Sequence, residues 1–173
     1  MASITILFLF IFLFSINSNA EDNNSKQYSK DEGVVSIMYH RFNESKYPST
    51  NIQIDIFKEH LKLIKDSKFN FVHPKDFEKN FNLPKKNKEI LLTIDDGFES
   101  FYNEAWPILQ KEKIPFILFI STEPVGKNGY MNWSQIKEIE KSNIGVIGHH
   151  SHTHEYLIDK SEIEFISDIE NAN

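Results

Sequence analysis

Asp95 and Asp96 stand side by side and are followed by Gly97. Two adjacent carboxylates repel, and within a strand their side chains point to opposite faces. At a strand end the backbone can turn, and glycine tolerates the positive φ that such a turn needs. Both carboxylates can then face one point, where a divalent cation would offset their repulsion and keep both ionised. One could ligate the cation while the other accepts a proton from a water that the cation acidifies. The same three residues also suit a plain Asp-Gly turn. The pair therefore needs a second feature before it means chemistry.

The chain has seven histidines, and His149, His150, His152 and His154 lie within six residues. A neutral imidazole offers a lone pair that suits zinc, nickel, cobalt or iron. His150 and His154, at i and i+4, can reach one ion from a helical turn or from a loop wrapped around it. His150, His152 and His154, at i, i+2 and i+4, would line one face of an extended strand. The spacing leaves both geometries open. A solvated loop that binds metal adventitiously is the bland alternative. It loses ground because an Asp pair sits at another strand end.

The elements that must position these groups can be read from periodicity. Val34-Val35-Ser36-Ile37-Met38-Tyr39 is a short apolar, β-branched run and reads as a buried strand, with His40 and Arg41 at its end. Phe57, Leu61 and Ile64 put one apolar face on a helix over 55–66. A second strand is expected over 69–72, a short helix over 75–81 and a solvated loop over 83–88. The third strand, 89–94, ends at the Asp pair. Helix resumes over 100–113, where Pro107 is expected to kink it or to open a new helix at its first turn. The fourth strand is 116–121. Asn132 with Gln135 three residues on predicts a capping box for a helix over 132–142. The fifth strand, 144–147, leads into the His cluster, and a last helix over 160–173 carries Ile163, Ile166 and Ile169 at spacing three. The pattern implies an α/β fold: about five parallel strands, too apolar for one solvated face, with outer helices. Chemistry in such folds collects at the C-terminal ends of the strands, where both motifs lie. The pattern alone does not choose between an open sheet and a barrel.

At 173 residues the chain fits one domain, and 15 Phe with 6 Tyr supply core material. A net charge of -6 with no basic stripe argues against nucleic acid as partner. Residues 4–16 form an apolar run of signal-peptide length, followed by Ser18-Asn19-Ala20 with small residues where a signal peptidase reads. We therefore expect a signal peptide over 1–20, a flexible leader over 21–32 and the working domain over 33–173, in a secreted, periplasmic or cell-envelope protein. Met1-Ala2-Ser3 lacks Lys and Arg, so an uncleaved anchor is the alternative, and it is the one membrane contact expected. The absence of cysteine excludes thiolate ligands and a Cys nucleophile.

Leu92-Thr93-Ile94-Asp95-Asp96-Gly97 resembles the first motif of the polysaccharide deacetylase (NodB homology) family. Gly148-His149-His150-Ser151-His152-Thr153-His154 resembles its second motif. Ile114-Pro115-Phe116 and Trp133 between them are similar in style. Tyr39-His40 resembles exported members that act on bacterial surface or biofilm glycans. The likeness runs from about Val34 to Asp168. It implies a distorted (β/α) barrel, of which this chain carries part, and a hydrolase that removes acetyl groups from a polysaccharide, an N-acetylhexosamine polymer first among them. Carried over by position, Asp95 is the general base. Asp96, His150 and His154 are metal ligands, and His152 does not ligate. Zinc is the implied metal, with cobalt or nickel as alternatives.

The family's later motifs supply an acid for the leaving amine, an Arg that orients the base and an oxyanion donor. No His or Arg follows His154 in this sequence. We therefore expect a truncated chain, one completed by a second chain, or a degenerate relative, weakly active or inactive by itself. Two other readings compete. One is an amidohydrolase-like metallohydrolase with His150 and His152 as ligands. The other is an exported metal- or glycan-binding module without turnover. Trp133 is expected to pack at a helix start. His40 either lines the cleft or is structural, and His60 and His73 are read as ordinary surface or helix-flank residues.

Overall fold

The computed structural model describes residues 33–67, 69–81 and 88–173. The expected signal peptide and leader, and residues 83–87 of the expected loop, lie outside them. In chain order the elements are β1 (Val34–Tyr39), β2 (Arg41–Phe42), β3 (Asn51–Ile52), α1 (Ile54–Asp66), β4 (Phe69–Phe71), α2 (Pro74–Phe81) and β5 (Lys88–Ile94). A π-helical turn (Phe101–Ala105) then runs into α3 (Trp106–Glu112), followed by β6 (Phe116–Ile120), α4 (Trp133–Lys141), β7 (Gly145–His149) and α5 (Glu162–Asn171).

Five strands form one parallel sheet in the order β1-β5-β6-β7, with β4 also on β5. β1 pairs with β5 along its whole length, Val34 opposite Glu89 through Tyr39 opposite Ile94. The other edge of β5 is shared. β4 takes its start, Phe69 opposite Lys88, and β6 takes its end, Thr93 opposite Ile117. Helices connect successive strands, as parallel pairing requires. The fold is α/β, with the five parallel strands and outer helices of a partial (β/α) barrel.

The core is aromatic. Phe57 stands edge-on to both Tyr39 and Phe42, at 5.1 and 5.0 Å between ring centroids. Phe116 takes Phe101 and Trp106 the same way, at 5.4 and 5.9 Å. Edge-to-face pairs of this kind stabilise by about 0.5–1.5 kcal/mol beyond area burial. The C-terminal ends of β1 and β5 are tied by the backbone, where the Asp95 N–H donates to Tyr39 O at 2.9 Å. The Asp pair therefore starts from a strand end held by its neighbour.

One strand departs from expectation. β1 is the outer strand of the sheet among the described residues, and its Val35 and Met38 are 53% and 58% exposed. An apolar β-branched run reads alike whether a strand has one strand neighbour or two. A second departure is the pair β2–β3, a separate two-stranded sheet too short for periodicity to reveal. Pro107 falls in the first turn of α3, so the helix starts anew after the π-helical turn, as one of the two expected outcomes had it.

β7 begins at a glycine for a reason of space. A Cβ on Gly145 would lie 2.5 Å from Ile139 Cγ2 and 3.0 Å from Phe116 Cζ. Gly145→Ala is expected to destabilise the chain by about 1–3 kcal/mol through overpacking, measured as a lower urea midpoint with an unchanged slope.

Candidate metal centre

β5 ends in two residues with left-handed backbone, Asp96 at φ 73° and Gly97 at φ 72°. Sequence reasoning assigned that conformation to the glycine alone. An aspartate there is strained but tolerated better than most residues. The left-handed step breaks the strand's alternation. Asp95 and Asp96 are both buried, at 7% and 9% exposure, and both feel the charges of His40, His150 and His154. The turn is fixed from outside by Met131 N–H, which donates to Gly97 O at 2.9 Å.

The second motif follows β7 as an irregular loop, neither a helical turn nor a strand. Its backbone is left-handed at Ser151 (φ 65°) and at His154 (φ 59°). The Ser151 hydroxyl accepts from the His154 N–H at 3.1 Å. The loop thereby folds His154 back toward His150, with their rings 4.9 Å apart. Nε2 of His150 lies 3.2 Å and Nε2 of His154 lies 3.0 Å from Asp96 Oδ1.

Asp96, His150 and His154 form a group in which one ligand atom from each lies within 4.8 Å of the others. Asp96 Oδ1 is buried and, despite the two nearby nitrogens, has no hydrogen-bond partner; Asp95 Oδ1 is in the same state. Lone pairs that converge without pairing leave room for a cation between them. Tetrahedral ligands at about 2.0–2.1 Å from zinc stand roughly 3.3 Å apart, close to the two Asp96–His distances. The residues present fit a metal ion.

The two carboxyls are driven in opposite directions. Burial raises Asp95, and this outweighs the pull of His150, His40 and His154. Burial also acts on Asp96, but His150, His154 and His40 together hold its carboxyl below the ordinary value. His150 is raised in turn by the Asp96 carboxylate 3.2 Å away, against the effect of burial. The signs fix a pH dependence. In the metal-free chain the stability due to His150 is full at low pH and is lost as pH rises through its raised value. That due to Asp96 is present at neutral pH and lost as pH falls through its lowered value. A cation must displace the His150 proton. Metal affinity is therefore expected to begin falling at a pH above the ordinary histidine value of about 6.5, measured by chelator competition across pH.

His152 stands apart from the ligand group. Its Nδ1 pairs with Thr122 Oγ1 at 2.8 Å. His152→Ala is expected to weaken zinc binding by less than about 10-fold, the low end for groups outside the ligand set. Collapse of binding would restore the reading with His150 and His152 as ligands. The remaining histidines are placed as follows. His40 is close enough to act on both carboxyls. His60, in α1, meets the Tyr39 hydroxyl through Nδ1 at 2.8 Å, and His73, directly before α2, meets Asn143 O through Nε2 at 2.9 Å, the helix-flank places expected of them. Trp133 opens α4 but is 50% exposed. Sequence reasoning missed Thr122 and Asp168, which hold the His loop from outside. An aspartate directly before Ile169 on the last helix, within its run of isoleucines at spacing three, was the available signal.

The chain is 26% identical to the poly-β-1,6-N-acetyl-D-glucosamine N-deacetylase of Staphylococcus aureus over 159 residues, covering 80% of this chain and 54% of that protein. Its fold is similar to the solved structure of IcaB from Ammonifex degensii, with TM-score 0.70 and 29% identity over 82% of this chain and 66% of that one. The deacetylase PplD of Streptococcus pyogenes, at 24% identity, shares the fold with TM-score 0.68 over 80% of this chain and 65% of that one. The chain spans about half the length of the curated relatives it matches. The polysaccharide deacetylase family model matches residues 82–173, more than half the chain and the whole stretch from the strand of the Asp pair to the final helix, and so the chain belongs to the polysaccharide deacetylase family.

Proposed function

We propose that this chain carries the metal-holding and base-bearing part of a hydrolase that removes acetyl groups from an N-acetylhexosamine polymer. The observation that carries the reading is the convergence of Asp96, His150 and His154 on one point, with the raised carboxyl of Asp95 beside it. In this reading Asp96, His150 and His154 are the ligands and Asp95 is the general base. Zinc fits one carboxylate and two imidazoles with a position left open, and cobalt or nickel accept the same donors. When bound, the cation supplies Lewis acidity to the acetyl carbonyl and to the attacking water.

The chain's own residues do the rest. Asp96, held below the ordinary carboxyl range, stays ionised at neutral pH. His150 and His154 act as neutral donors once deprotonated. Asp95 is buried and has an oxygen with no partner, so it is free to take the proton of the attacking water. Its raised pKa places its proton affinity nearer neutrality, where a base works best. An open cavity of about 600 Å³ is bordered by His150, His154, Tyr156 and Ile158, so two of the three proposed ligands face a space large enough for a sugar unit.

An extracellular or cell-envelope site of action rests on the apolar N-terminal segment and on the S. aureus relative's named polymer. No helix among the described residues is long and apolar enough to cross a membrane.

The test is acetate release from an acetylated β-1,6-glucosamine oligomer by the full chain at high protein concentration. Slow release that disappears on chelation and returns with zinc is expected. Release that survives chelation overturns the metal-dependent reading. No release, with zinc still bound, would favour a metal- or glycan-binding module instead.

A further inference from the structure

Residues 150–154 adopt a conformation that the chain would not choose alone, with left-handed backbone at Ser151 and His154. Something must hold it. On one side β6 and its extension do so. Ser121 Oγ donates to His150 O at 2.7 Å, Thr122 N–H to Ser151 O at 3.3 Å and Glu123 N–H to His152 O at 3.0 Å. On the other side stands Asp168 of α5. Its carboxylate accepts from the His152 N–H at 2.9 Å and the Thr153 N–H at 3.0 Å, and from the Thr153 hydroxyl at 3.1 Å.

Asp168 is 7% exposed, the one residue of α5 buried to that degree, while Ile163 of the same helix is 81% exposed. Apolar burial therefore does not explain how α5 meets the loop. A buried carboxylate with three donors does, because charge-assisted hydrogen bonds are about twice as strong as neutral ones. Burial pushes the Asp168 carboxyl up, but the Thr153 and His152 donors outweigh it and keep the group ionised. A capping box between Ser161 and Glu164 fixes the start of the helix that delivers it. His152 and Thr153, the residues Asp168 holds, lie between His150 and His154.

We propose that Asp168 is a positioning residue of the metal centre, which sets metal affinity by locking the 150–154 loop in its ligating shape without touching the metal. The proposal rests on the reading of Asp96, His150 and His154 as ligands. The test uses the full chain, stripped of metal, with zinc affinity measured against a chromophoric chelator and ligand geometry read from the visible spectrum of bound cobalt(II). Asp168→Asn keeps the side chain's size but turns one acceptor into a donor that opposes the loop N–H groups. Zinc affinity is expected to fall by about 10- to 100-fold and the cobalt bands to change, while the circular dichroism of the metal-free chain stays native. Thr153→Val, which removes one donor and leaves Asp168 in place, is expected to weaken binding in the same direction by less. A folded Asp168→Asn chain with parental affinity and an unchanged cobalt spectrum overturns the proposal. If Asp168→Asn does not fold, parental affinity in Thr153→Val overturns it instead. Asp96→Ala serves as the control: if that chain keeps parental affinity, the ligand assignment fails, a result distinct from failure of the role given to Asp168.

Discussion

Asp96→Ala is expected to weaken zinc binding by more than about 100-fold, beyond the upper end of what groups outside the ligand set contribute. Asp96 Oδ1 is the point on which both imidazoles converge, 3.2 Å from His150 Nε2 and 3.0 Å from His154 Nε2. Without it, two neutral nitrogens on one loop remain, a set that many surface histidine pairs could match. The metal-free chain should also change. Asp96, with a further part from Asp95, raises His150, so in the variant the His150 pKa falls. The two rings, 4.9 Å apart, then face each other with no carboxylate between them. Chelator competition gives the affinity, and proton NMR of the imidazole C–H signals gives the His150 titration. Parental affinity would remove Asp96 from the ligand set.

The same residue shows where the sequence could be read and where it could not. Strand β1 over Val34–Tyr39, the helix expected over 55–66 and the capping box of Asn132 and Gln135 all follow from local patterns, and the structure has them. Local patterns state which atoms a residue offers its near neighbours. They also placed the Asp pair and the His cluster at strand ends, because a strand end is visible where periodicity stops. Three features were out of their reach. The left-handed backbone of Asp96 is imposed by β1 and Met131, elements far away in sequence. The spacing of His150 and His154 left a helical turn, a wrapped loop and a strand all open, and the wrapped loop is what forms because β6 and α5 hold it from two sides. The last helix was read by its isoleucines. Its buried residue is Asp168, since hydrogen bonds to the loop, rather than apolar area, attach it. β1 illustrates the converse: its apolar run was legible, but not the exposure of Val35 and Met38, because the number of strand neighbours is a property of the whole sheet.

Asp95→Asn is expected to separate binding from turnover. Asp95 lies outside the ligand group of Asp96, His150 and His154, so zinc affinity should stay within about 10-fold of the parent, as for a group that only neighbours the ligands. Turnover should fall by about 10²- to 10⁴-fold, the usual contribution of a general base, because an amide cannot accept the water's proton. Stability should move the other way. A carboxyl raised by burial is, at neutral pH, a charged group that the fold disfavours relative to the unfolded chain. The neutral amide removes that cost, so the metal-free variant should unfold at a higher temperature than its parent. The three readouts together are specific to a base. Loss of zinc binding along with turnover would make Asp95 a ligand, and retained turnover would move the base elsewhere. A lower melting temperature would mean that Asp95 holds the strand end together rather than waiting there, uncomfortably charged, for a proton.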